Sequence, residues 1–181
     1  MIREGWINGP RTIGSMLGLE LTFAGWRRFQ ELQQTRTASR IAFMAMPFGK
    51  QPLNTIYTDH WKPAVARAGF QLTRLDEAPS AGLIDDQLRV AIRTSRFLLA
   101  ELTHQNSGAY WEAGFAEGLG RPVIYLCDKL QWAAKQTHFD TNHRQTIVWD
   151  ETNLADAANR LTAMIRNTLP DEATMSDLTE T

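Results

Sequence analysis

The chain has one cysteine, no long apolar run and no surplus of charge of either sign, and each scarcity removes a class of protein. A single cysteine, Cys127, excludes an internal disulfide and a cysteine-cluster zinc site. Its place at the end of an apolar, strand-like run marks it as a small buried thiol. The apolar runs fall far short of the ~18 residues that span a bilayer. Met1-Ile-Arg-Glu4 lacks the apolar segment of a signal peptide, so a cytoplasmic protein without a membrane partner is expected. Nineteen basic against twenty acidic residues give a formal charge of −1, which leaves no global field for nucleic acid. The Arg27-Arg28 pair reads as a solvated helix face rather than a phosphate contact. His104, His138 and His143 show no metal-ligand spacing, so neither a metal nor another cofactor is expected.

What is present is a chain long enough, at 181 residues, for one α/β domain and a small appendage. Residues 1–40 form the appendage and its linker. Gly5, Gly9-Pro10, Gly14 and Gly18 interrupt its first part, Leu19 to Thr22 alternates as a short strand, and Phe23 to Gln34 carries Trp26, Phe29 and Leu32 at helical spacing with Thr22 as cap. Residues 41–170 form the main domain. Ile41 to Met46 is a continuous apolar run that stops at Pro47-Phe48, as a strand buried on both faces does. A helix follows to Gly69, then strand Phe70 to Leu75, helix Leu83 to Thr94, strand Phe97 to Leu102, a helix from Ser107, strand Pro122 to Cys127, strand Thr146 to Trp149 and a last helix ending near Pro170. Residues 171–181 are acidic and poor in apolar side chains, and are expected to be disordered.

Strands separated by helices require a mainly parallel sheet covered on both sides, here a five-stranded, flavodoxin-like three-layer α/β sandwich. Ligands of such sheets bind at the carboxyl ends of the strands. That edge collects the loops around Met46, Pro47 and Phe48, around Asp76, from Thr103 to Gly108, and from Asp128 to His143. Glu112 is the acid that stands out. On a helix from Ser107 it shares its face with Gly108, Ala109, Phe115, Ala116 and Leu119, a stripe of small and apolar residues. A carboxylate there is either paired inside the core or turned into a cleft.

Three stretches, Phe43-Met-Ala-Met-Pro-Phe-Gly49, Ala100-Glu-Leu-Thr103 and Tyr110-Trp-Glu-Ala-Gly-Phe-Ala116, resemble the nucleoside 2-deoxyribosyltransferase-like superfamily, in the family's order. His138-Phe-Asp-Thr141 resembles a signature of one bacterial branch, and Leu21 to Trp26 resembles the end of a winged-helix-type appendage found ahead of it. A looser similarity extends to TIR domains that cleave nicotinamide dinucleotide. The resemblance implies N-glycosidic chemistry on a nucleoside, nucleotide or nicotinamide dinucleotide (NAD), with Glu112 as the catalytic glutamate. It also implies a homo-oligomer.

That assignment agrees with the chemistry. Breaking a ribosyl C1′–N bond builds positive charge on the sugar, which a carboxylate can stabilise or trap covalently. The helix dipole is expected to keep Glu112 ionised. Gly108 leaves room for a sugar, and Phe48 and Tyr110 offer surfaces to a base. The chain departs from the family at Asn106, six residues before the glutamate, where the family has an acid, and at Glu101, where it usually has aspartate. Leaving-group protonation then falls to Glu101, Asp76 or Asp140, with Asn106 and His138 as further polar contacts. The alternative to an enzyme is a nucleotide-sensing module. A combined form is a toxin or antiviral effector controlled by a regulatory partner bound through residues 1–40.

Overall fold

The computed structural model describes residues 5–13, 16–27, 39–77, 84–134 and 146–176. The chain divides into two compact units, Met1–Arg36 and Thr37–Thr181.

In the first unit, β1 (Ile7–Ile13) pairs antiparallel with β2 (Met16–Leu21). The hairpin corrects the reading of Gly9-Pro10 as a break. The register shifts between Asn8 and Arg11, so the two residues occupy a bulge, where a proline without an N–H is tolerated. Residues 23–27 are helical (α1). Thr22 caps this turn as expected, accepting from the Gly25 N–H at 3.0 Å while donating to the Gly5 carbonyl at 2.7 Å. Phe29 and Leu32 lie outside the described residues.

The second unit holds β3 (Ile41–Ala45), β4 (Gln71–Thr73), β5 (Phe97–Glu101), β6 (Val123–Asp128) and β7 (Thr146–Trp149). They form one parallel sheet in the order β4-β3-β5-β6-β7. This is the flavodoxin-like order, with its switch point between β3 and β5. β3 and β5 are buried on both faces because their side chains alternate between two cores. Ala42, Met44 and Leu99 face one, Phe43, Ala45, Leu98 and Ala100 the other.

The first core is closed by α2 (Gln51–Ile56), a π-helical turn (Tyr57–Trp61) and α3 (Lys62–Arg67), which run on without a gap, and by α7 (Leu154–Thr168). The π turn buries both Tyr57 and Trp61. Gly69 ends α3 at φ +84°, the left-handed conformation that glycine adopts without a steric cost. The second core is closed by α4 (Ile84–Thr94) and α5 (Ser107–Gly118). α6 (Lys129–Ala133) follows β6 directly, and the carboxylate of Asp128 caps it by accepting from the Leu130 and Gln131 N–H groups.

The tail departs from expectation. Ala173 joins the first core, Glu172 accepts from Arg96 at 2.8 and 2.9 Å, and Thr174 N–H donates to the Ala68 carbonyl. A two-pronged arginine pair and a backbone bond order residues 171–176 despite their acidic composition.

Candidate functional site

The sheet's carboxyl edge carries the site. β5 ends in Glu101, and Leu102-Thr103-His104-Gln105 leads to Asn106, the N-cap of α5. His104 and Gln105 both have positive φ, +65° and +52°, a strained run for two residues with side chains.

α5 lays Ala109, Ala113 and Ala116 on the sheet. Their small side chains bring the helix backbone close, and Glu112 lies at the margin of that face, half-buried. Helical side chains tilt toward the amino end. Glu112 accordingly reaches back over Gly108, its Oε1 3.8 Å from where a β-carbon on that glycine would stand. Asn106 Oδ1 is 3.3 Å from the same point. Asn106 occupies a capping position but its side chain makes no capping hydrogen bond. Among the described residues no hydrogen bond or ion pair engages Glu112. Two polar side chains without partners among the described residues thus converge on Gly108.

Burial raises the Glu112 carboxyl to about 7. This reverses the expectation that the helix dipole would keep it ionised. The dipole's effect fades beyond the first turn, and Glu112 is the sixth residue of α5, so desolvation prevails.

Glu101 is a correction. It is 1% exposed. Its Oε1 accepts from the Thr103 N–H at 3.0 Å and from the Thr103 hydroxyl, and its Oε2 accepts from Trp149 Nε1 at 3.0 Å. Burial pushes its carboxyl to about 7 against those three donors, which lower it. With both oxygens committed beneath the surface, Glu101 ties β5 to β7 and is not placed to protonate a leaving group. Thr103 extends the tie to β6, its hydroxyl accepting from the Asp128 N–H at 2.9 Å. Cys127 sits in the same layer, fully buried, its thiol pushed up to about 12 by burial and by the charges of Glu101 and Asp128. It is inert at neutral pH.

Asp76 is partly engaged, its side chain 41% exposed. It follows edge strand β4 and is held by Arg74 at 2.5 Å, whose guanidinium also donates to Asn54 at 2.6 Å and touches Met46 Sδ at 3.5 Å. Met46 is 6% exposed and belongs to the first core, Pro47 is half-buried, and Phe48 is exposed. Tyr110 packs against the second core and is no free stacking surface, whereas Trp111 is 47% exposed and stacks on Phe115 at 5.4 Å. His138 and Asp140 lie outside the described residues.

The edge named from the sequence holds a cavity of about 540 Å³, whose wall after β7 sequence reasoning did not include. Lys50, Pro52 and Leu53 after β3 form one wall, and Thr103 and His104 after β5 the next. Asp128 to Gln131 and Trp149 to Thr152 complete it from β6 and β7. The available signal was the edge rule itself, applied to Lys50 and Asp150 as well as to the acids near Glu112.

No protein-family model and no curated protein matches the chain. Among solved structures it is similar to a response regulator receiver protein from Sinorhizobium medicae WSM419, at 14% identity over 70% of this chain and 97% of that one, with a TM-score of 0.37. It is also similar to the sugar isomerase domain of an RpiR transcription factor from Sphaerobacter thermophilus, at 13% identity over 83% and 82% of the two chains, with a TM-score of 0.41. These likenesses concern the fold and carry nothing about activity.

Proposed function

We propose that the chain cleaves the N-glycosidic bond of a nucleoside, nucleotide or NAD through Glu112, in keeping with its resemblance to the deoxyribosyltransferase-like superfamily. The observation that supports this most is the convergence of Glu112 and Asn106, neither side chain bonded to another described residue, over Gly108 at the carboxyl edge. A structural glutamate so placed would be paired.

In the proposed reaction the C1′–N bond breaks with its electron pair leaving on the base, and a Glu112 carboxylate oxygen bonds to C1′ or faces the cation closely. Water, or a second base, then attacks C1′ and releases the carboxylate. A proton from water completes the sugar hydroxyl and its partner proton passes to solvent. Asn106 in place of an acid, with both oxygens of Glu101 committed, favours a leaving group that departs without taking a proton. A pyridinium-type base does so, because bond cleavage leaves it neutral.

The test is incubation with nucleosides, nucleotides and NAD, followed by chromatography for free base, alongside Glu112→Gln. Release that is lost in the variant is expected. Equal release by both proteins sinks the reading. Nucleotide binding without release supports the second reading, a sensing module, which the commitment of Glu101 to structural bonds favours. A toxin or antiviral effector would show release only with a partner acting through residues 1–40, and a homo-oligomer would appear in solution mass measurements.

A further inference from the structure

α4 and α5 turn one continuous face away from the sheet. The Arg89 guanidinium lies over the Trp111 ring, 5.7 Å from its centroid, and Arg93, one turn further along α4, lies 5.5 Å over Phe115, one turn further along α5. The two helices therefore run side by side and in step. Val90 is 56% exposed on this face, and Trp111 stands out beside it. Gly114 and Gly118 are exposed too, with nothing within 4 Å of where a β-carbon on either would stand. Neither has the positive φ that calls for glycine, and a glycine inside an exposed helix costs about 1 kcal/mol relative to alanine. Bare helix backbone of this kind serves a second helix that approaches from outside.

The charges of α4 specify which helix that is. Asp86, Val90 and Arg93 follow one another at i, i+4 and i+7, a stripe along one side of α4 whose acid and base are about 10 Å apart along the axis. Asp86 is largely exposed, and its contact with Arg89 is long, at 3.5 Å. Arg93 has no ion-pair partner among the described residues. Its stacking on Phe115 engages the plane of the guanidinium and leaves the N–H groups at the edge for a carboxylate. The exposed pair on α7, Asp156 and Arg160, differs, because it closes on itself at 2.9 Å. α4 carries Asp85 and Asp86 in its first turn and Arg89 and Arg93 after them, so its face is neutral as a whole and favours neither an acidic nor a basic partner. A half-turn about the middle of the stripe lays it on its own complement. Asp86 then meets Arg93 of the second copy, Arg93 meets Asp86 of the second copy, and the two Val90 side chains meet near the axis.

We infer that this face is an interface between two copies of the chain, in which the α4 helices pack antiparallel about a two-fold axis near Val90 and the bare side of α5 makes room for Trp111 of the second copy. The resemblance to the deoxyribosyltransferase-like superfamily implies association without a face, and α4 supplies one. The pairing does not depend on the chemistry of Glu112.

Sedimentation velocity on the full chain over a concentration series tests it. Wild type should dimerise. Asp86→Arg and Arg93→Asp should each weaken the dimer by at least about tenfold, because each sets like charges against one another at both ends of the stripe. Mixed in equal amounts, the two variants should form a heterodimer as tight as the wild-type dimer, since each copy then presents the charge the other lacks. Val90→Glu should weaken association and should not be rescued by mixing with either. All three positions are exposed, and circular dichroism with thermal melts checks that the variants stay folded. A wild type that stays monomeric, an oligomer that the single reversals leave intact, or reversals that fail to associate when mixed would each overturn the inference.

Discussion

Asn106 Oδ1 and Glu112 Oε1 approach the same empty position, 3.3 and 3.8 Å from the point a β-carbon on Gly108 would take. A methyl group there would press on the amide and sit in front of the carboxylate. Because the position is exposed and helical, Gly108→Ala should stabilise the fold by up to about 1 kcal/mol through helix propensity, less the cost of moving Asn106. It should lower kcat/KM by about tenfold or more. A gain in melting temperature together with unchanged turnover would show that no ligand uses this corner.

The pH profile follows from Glu112's protonation. As nucleophile or cation stabiliser it works ionised, and burial holds its carboxyl at about 7. The kcat/KM for base release should therefore climb as pH rises through about 7 and then level off. A profile that falls over the same interval would make Glu112 a proton donor instead.

The same shift acts on stability. The folded chain retains a proton on Glu112 that the unfolded chain releases near 4.5, so the folded state is most favoured below that value. The contribution is lost as the pH rises toward about 7. Glu112→Gln removes the titration and should stabilise the protein by on the order of 1–2 kcal/mol at about pH 8, a figure discounted for the side chain's partial exposure, and by little at about pH 4. Thermal melts at the two pH values check this, while turnover should drop by at least about 10³-fold.

Glu101 should behave as a tie between strands. Glu101→Ala leaves the Trp149 Nε1–H and Thr103 donors without acceptors in a buried layer, for a loss of about 2–4 kcal/mol in denaturant unfolding. Near-ultraviolet dichroism should report a loosened Trp149. Full stability in this variant would refute the structural role.

Asn106→Asp should place a second carboxyl beside Glu112. The like charge should move the rising limb of the pH profile upward. The added acid should raise release of bases that leave only when protonated, relative to release from a pyridinium-type substrate. An unchanged substrate ratio would mean that Asn106 does not face the leaving group.

Much of the fold was legible because the strands are short apolar runs punctuated by glycine and proline, and parallel interior strands need no alternation. Ile41 to Ala45 and Phe97 to Glu101 are such runs. The hairpin of β1 and β2 was not, since Gly9-Pro10 reads as a break until a bulge absorbs it. Glu112 was legible as an acid on an apolar stripe, but its protonation depended on depth along α5 and on desolvation, neither of which spacing reports. Glu101 was misread for a related reason. Its partner Trp149 lies 48 residues away, and only the pairing of β5, β6 and β7 brings them together. The cavity's wall after β7, from Trp149 to Thr152, escaped notice because that loop is of ordinary composition.

The π-helical turn at Tyr57–Trp61 carries a consequence for insertions and deletions. Such a turn holds one residue more than an α-helical turn, and here Thr58 and Asp59 are its exposed members. Removing either should leave Leu53, Ile56, Ala64 and Val65 turned to the sheet, with a kink at Pro63, which has no N–H to give a regular α-helix. Removing a residue elsewhere in the same stretch would rotate everything beyond it by about 100° and bring charged side chains into the core. The helix thus has one place where its length can change by a residue while its buried face keeps its phase.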